Sequence, residues 1–277
     1  GNKVYIYQSS NEGNVNVNSE SEVTKYEDLE YNVDVYSKNN VAGIAGKVDE
    51  IYNSNNNGEI LSSIENYPND GGTFGKVKQA NINNVAGIAV YSNRIERSYN
   101  LANIIGKIIN NNSNIDTNTY EIIGENNVAG IANHSSVVMG AYNKGNIGAE
   151  ATNLHEYINN ESGISTFASL VHYSYNLGNV LSNIITSCTN YMGGISSCSD
   201  VNCSYSTGNV INNNTSSSTK KDEFIDGISG SGQVSNSYYK EGIELSSGTV
   251  PKENVDVTKE ETYMKTIDFI NDLKDYF

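Results

Sequence analysis

Three cysteines, three histidines and a scatter of carboxylates are the side chains of this chain that could do chemistry, and their spacing limits which chemistry is open to them. Cys188, Cys198 and Cys203 fall within 16 residues of each other. An odd count argues against a disulfide framework. A zinc site would need a fourth ligand close by, yet the nearest histidine, His172, lies 16 residues before Cys188, and no CxxC spacing occurs. The thiols therefore read as small buried or half-exposed side chains, with a Cys198 to Cys203 disulfide as the alternative. His134, His155 and His172 sit at three different positions of the repeat described below and are not expected to converge.

Hydrolysis of a glycosidic bond would take two carboxylates roughly 5 to 9.5 Å apart. Asp49 and Glu96 are the candidate pair, because each follows a β-branched residue (Val48, Ile95) at a matching place in the repeat. Later copies put Met139, His172, Asn202 and Ser235 there, so the pair reads as coincidence. A lyase acting on an acidic sugar would use Lys or Arg, and both are sparse. Asp222, Glu223 and Asp226 cluster but lack the spaced oxygen ligands of a calcium loop. No GxSxG elbow, phosphate loop or nucleotide fingerprint is present, and GGTFGK at 71–76 is a Gly-rich turn. No catalytic residue, metal site or cofactor is expected. A polysaccharide lyase or glycoside hydrolase is the enzymatic rival.

The elements that would have to position any such group come from a repeat. NNVAGIAG at 39–46 returns as NNVAGIA at 83–89 and 126–132, then more faintly as ESGIS from Glu161, MGGIS from Met192 and IDGIS from Ile225. The Gly-Ile elements thus lie near Gly43, Gly87, Gly130, Gly163, Gly194 and Gly227. A second element puts a β-branched residue four positions before a tyrosine, pairing Val48, Ile95, Val138, Val171, Val201 and Val234 with Tyr52, Tyr99, Tyr142, Tyr175, Tyr205 and Tyr238. Ser or Ala precedes the tyrosine in every copy but the first, where Ile51 stands. The intervals between tyrosines are 47, 43, 33, 30 and 33 residues. The start of the chain joins in, since Tyr7, Gly13 and Val15 match the spacing of Tyr52, Gly58 and Ile60.

A period near 33 residues means a helical array or a solenoid. Gly at the centre of one element, and Asn and β-branched residues crowding the other, remove the helical options. Leucine-rich repeats fail because no L-x-x-L-x-L frame exists. An all-β fold is expected: a parallel β-helix, or β-solenoid, of about six to seven turns over residues 1–245. Ile44, Ile88, Ile131, Ile164, Ile195 and Ile228 form one inward column and the β-branched residues of the second element another. Val41 and Ile44 are three apart, so both point inward only if the chain bends or bulges at Gly43.

Material inserted at about 61–80 and 105–125 falls at one point of the repeat and is expected to project from one side. Tyr67, Asn69, Asp70, Asn112, Asp116 and Tyr120 in these loops are the candidate binding residues, because insertions on one face are often a solenoid's binding face. The tyrosine column reads as a cover for its sheet, with a sugar-binding ladder as the alternative. Residues 246–277 form a linker and an amphipathic helix over about 259–275. Thr258 is its N-cap, Glu261 completes a capping box, and the helix covers the open C-terminal end of the coil.

Composition bounds the partners. Only 37% of the 277 residues are hydrophobic, and the net charge is -15. Such a charge repels nucleic acid and anionic lipid. No apolar run approaches the ~20 residues that span a bilayer, so no membrane insertion is expected. A start at Gly1-Asn2-Lys3 without Met is expected of a piece of a longer chain, monomeric as a segment.

Gly43-Ile44-Ala45-Gly46 and Ser204-Tyr205-Ser206-Thr207-Gly208-Asn209-Val210 resemble the GLUG repeat of bacterial surface and secreted proteins. The resemblance spans roughly residues 1–245. Ile takes the Leu position throughout, and the second signature Gly survives only as Gly46 and Gly230. What it implies is an exported, cell-wall-associated or extracellular Gram-positive protein whose repeats serve as an adhesin or stalk. Its partners would be a host surface or matrix protein or a glycan. The alternative it carries is an accessory segment of a large secreted zinc peptidase. No HExxH is present, so a zinc centre of that kind would lie outside this segment.

Overall fold

The computed structural model describes residues 3–23, 33–68, 77–111, 120–186, 188–214, 223–246 and 257–259. These residues form strands and no helix, and every strand pairing is parallel. The chain winds as a solenoid with four sheets, here sheets I to IV. One coil shows the plan: Tyr120–Ala129 lies in sheet IV, Ala132–Met139 in sheet I, Tyr142–Asn143 in sheet II and Ile147–Thr152 in sheet III. Sheets I and II hold eight strands each, and sheets III and IV six each. Sheet I has seven rungs, because its second rung is split into Ala45–Lys47 and Glu50–Tyr52.

The Gly-Ile corner joins sheet IV to sheet I, and a bend there brings both apolar residues inside. The N–H groups of Ile88 and Ala89 both donate to the Ile131 carbonyl, at 3.0 and 3.1 Å, and the same fork recurs at Ile44, Ile131 and Ile164. The register stays one-to-one through the bend, Ala86 with Ala129 and Ala89 with Ala132, and the reversal of side-chain parity buries Val85 and Ile88 together. The glycines are there for space. A Cβ on Gly130 would stand 2.1 Å from the Gly163 carbonyl oxygen and 2.7 Å from Cγ of Asn143 across the coil.

That asparagine belongs to a spine down the interior. Asn11, Asn56, Asn100 and Asn143 each donate from Nδ2 to Oδ1 of the next asparagine, ending on Asn176, at 2.7 to 2.8 Å. Each Nδ2 also bonds the carbonyl two residues on, as Asn143 does to Gly145. The spine meets the corner glycines and splits the apolar interior. One compartment backs sheet I, with Ile51, Ile88, Ile95, Ile131, Val138, Ile164 and Val171. The others lie between sheets III and IV, around Ile60, Ile104 and Val128, around Ile108 and Tyr157, and around Met192 and Val210.

The register corrects the reading of the second coil. Ile95 pairs with Ile51, not with Val48, and Tyr99 pairs with Asn55, not with Tyr52. Tyr52 instead faces Tyr7 and Glu96. The anomalous Ile51 marked the slip. With Ser54 placed before Asn55, the small residue and the following Gly58 both fall into line, and the spine spacings become 45, 44, 43, 33 and 30 residues.

The longer early coils also differ from expectation. Much of their extra length is strand: Ile60–Pro68 and Val77–Ala86 pair along their length with Ile104–Asn110 and Tyr120–Ala129. At the C-terminal end, Val257–Lys259 adds a last rung to sheet II, with Thr258 opposite Tyr239 and Lys259 opposite Lys240. The start of the expected helix is therefore a strand, and its remainder lies outside the described residues.

Candidate functional site

A trough of about 770 Å³ runs along the outside of sheet I, parallel to the coil axis. A bend midway along the sheet I strands shapes it. The N–H groups of Asn93 and Arg94 both donate to the Asp49 carbonyl, at 2.8 and 3.1 Å, and those of Asp49 and Glu50 both reach the Val4 carbonyl at 3.2 Å. The register stays one-to-one across it, so the bends stack into a furrow.

Three axial columns line it. One wall is aromatic: Tyr91, His134 and Phe167 stack with centroids 4.9 and 5.0 Å apart and planes within 9°. Lys38 Nζ lies 5.5 Å from the centre of the Tyr91 ring, and Lys47 and Cys198 extend the wall at either end. The floor is small, with Val48, Ser92, Ser135 and Ala168, and Ser92 Oγ donates to Ser135 Oγ at 3.1 Å. The opposite wall is polar, with Asp49, Asn93, Ser136 and Ser169. Burial pushes the pKa of His134 below its usual value and favours the neutral imidazole.

Asp49 is the one carboxylate among the described residues that line the trough, and both its oxygens are engaged. Oδ2 accepts from the Val4 N–H at 2.7 Å and Oδ1 from Asn93 Nδ2 at 3.1 Å. Glu96 is not its neighbour in register; it aligns with Tyr52 and Met139 and pairs with Arg94 and Arg97. The matched-carboxylate geometry considered for hydrolysis does not form.

The other residues singled out from sequence are dispersed. His155 sits in the turn from sheet III to sheet IV, its Nδ1 accepting from the Ile122 N–H at 2.8 Å. His172 ends a sheet I strand against the Tyr173 ring. None of the three cysteines is in a disulfide, and Cys188 and Cys203 are buried. Glu223 accepts from Asn212 Nδ2, while Asp226 turns inward to the Ile228 N–H at 2.8 Å. Among the described residues no three His, Cys, Asp or Glu side chains group as metal ligands would, and no helix is long and apolar enough to cross a membrane.

Of the loop residues expected to bind, Tyr67 is exposed and donates to Glu65 Oε2 at 2.7 Å, which holds its phenol above the usual pKa. Tyr120 opens a sheet IV strand opposite Val77. Asn69, Asp70, Asn112 and Asp116 lie outside the described residues. Tyr67 and Tyr120 stand on a sheet III strand and a sheet IV strand, not on sheet I where the trough lies. The signal for the trough is in the chain: the residue three after each of the first five corner isoleucines runs Lys47, Tyr91, His134, Phe167, Cys198.

The tyrosines of sheet II form a separate stack, Tyr99, Tyr142, Tyr175 and Tyr205, at 4.8 to 5.1 Å with planes within 6°. Rings stacked on each other turn their faces along the axis, so the column covers its sheet and offers edges outward. Comparison with family models, with curated proteins and with solved structures gives no match to this chain.

Proposed function

We propose that this chain is a non-catalytic, rod-like repeat segment of a bacterial surface or secreted protein, acting as an adhesin that carries its binding face on sheet I. The observation that carries the reading is the trough: a continuous furrow on the outer face of sheet I whose three columns repeat with the rungs. The recurrent Gly-Ile corner supports a relation to surface-protein repeats, and the acidic body suits an exposed, soluble display.

Immobilised chain is expected to retain host cells or extracellular-matrix components, and a variant with the trough filled is expected to lose that retention. Liberation of reducing ends or unsaturated sugars from a polysaccharide panel would overturn the non-catalytic part of the reading. Failure to retain any cell or matrix component would overturn the adhesive part.

A further inference from the structure

We propose that the trough on sheet I binds a neutral, linear, equatorially linked glycan lying parallel to the coil axis. The proposal rests on the adhesive reading above and names the ligand class for that site. Its first support is the period. Each rung adds one residue to each wall, and the aromatic wall advances 4.9 and 5.0 Å per step. An equatorially linked pyranose chain advances by close to one rung per sugar, so every unit stays in step with the walls, and because successive units are flipped the same hydroxyl edge returns to a given wall at every second rung. An extended peptide advances ~3.3 Å per residue and alternates its side chains, so it leaves register with the rungs almost at once.

The second support is the chemistry of the walls. Stacking of Tyr91, His134 and Phe167 leaves ring edges along one side, and Ser136 and Ser169 are exposed hydroxyls on the other. Sugar hydroxyls spanning the trough would find an amphipathic edge on one flank and hydrogen-bonding groups on the other at matching intervals. The third is charge. Lys47 and Asp49 sit at the same end, burial favours neutral His134, and the body carries -15, so acidic glycans are repelled. Five rungs, from Lys47 to Cys198, give room for about five sugar units at the interstrand step.

Titration calorimetry of the purified chain with cellohexaose and chitohexaose tests this, with maltohexaose for axial linkage, a hyaluronan hexasaccharide for charge and an extended polar decapeptide as comparators. Ser136→Arg and Ser169→Arg lay long side chains across the trough from exposed positions, and Leu177→Arg places the same charge on an exposed position outside it. Melting curves establish that each variant is folded. One of the neutral equatorial hexasaccharides is expected to bind, at least about tenfold more weakly in both trough variants and unchanged in Leu177→Arg.

The proposal is overturned if maltohexaose, hyaluronan or the peptide binds as well, if the trough variants bind as wild type does, or if no hexasaccharide binds. In the last case, wild-type retention of cells that Ser136→Arg abolishes would leave the adhesive reading standing with a different ligand. Absence of retention altogether would remove both.

Discussion

Glu161 stands where the repeat asks for an aliphatic side chain. Its column in sheet IV reads Val41, Val85, Val128, Glu161, Met192, Ile225, and the carboxyl is fully buried. Oε2 accepts from Asn159 Nδ2 at 3.2 Å, and burial pushes the pKa up to about 8. The folded chain therefore holds a proton at neutral pH that the unfolded chain, titrating near 4.5, has released. The contribution of Glu161 to stability is greatest below about pH 4.5 and falls as pH rises towards 8, by an amount on the order of 5 kcal/mol when the whole shift is expressed. Glu161→Met, matching Met192, is expected to raise the melting temperature more at pH 8 than at pH 5. The slope left below pH 6 would belong to Asp226, which burial pushes up to about 6. Thermal melts across pH 4 to 9 check this, and an unchanged slope in the variant would assign the effect elsewhere. Gly130 gives a second residue-scale test. Gly130→Ala drives a Cβ into the Gly163 carbonyl and is expected to cost about 3 kcal/mol or more, whereas Gly148→Ala, whose Cβ would meet Ile105 at 3.7 Å, is expected to be neutral or slightly stabilising. The glycine recurrence was legible as a corner. That it exists to make room for an asparagine across the coil was not, because the spine is read only when coils are stacked in register.

At the scale of the element, the Tyr-Asn pair of sheet II is the least replaceable unit. Asn143 receives from Asn100 and donates to Asn176 and Gly145, all at 2.7 to 2.8 Å. Asn143→Asp keeps the shape and loses both donations, leaving two buried acceptors facing a carboxylate, and is expected to cost roughly 3 to 5 kcal/mol. Asn143→Ser copies the choice the chain itself makes at Ser206, and is expected to cost about 1 to 2 kcal/mol. Urea midpoints of the two variants test the order. The sequence signal is that Asn100, Asn143 and Asn176 each follow a tyrosine, but the tyrosine is the more conspicuous member of the pair. The turn from sheet I to sheet II was harder still to foresee. All seven of its residues, Gln8, Asn53, Arg97, Gly140, Tyr173, Cys203 and Asn236, are left-handed with φ of 48 to 60°. Gly140, Asn53 and Asn236 suit that conformation; at Gln8, Arg97, Tyr173 and Cys203 the stacked rungs impose it on side chains that disfavour it. The bend beneath the trough was hidden for the same reason, since no residue type marks it and it is held by paired donations to one carbonyl.

For the whole molecule, the parallel solenoid was readable because identical corners recurred often enough to set the coil, and the slip at Tyr52 shows the limit of that method. Where an early coil carried tyrosine at a second site, local similarity outweighed the register that the asparagine spine enforces. The hydrogen bonds joining one rung to the next run along the axis of the rod. A pull on the two ends therefore loads them as links of a chain, and the weakest rung opens before its neighbours share the strain. Each opened coil would release its full contour, ~3.4 Å per residue: about 150 Å for the coils of 43 to 45 residues, and about 100 to 110 Å for those of 30 to 33. Optical-trap extension is expected to show two classes of step in that ratio, and a single all-or-none rupture would contradict it. As a tether under flow, such a chain would yield in measured lengths, paying out slack a coil at a time while the remaining rungs stay wound.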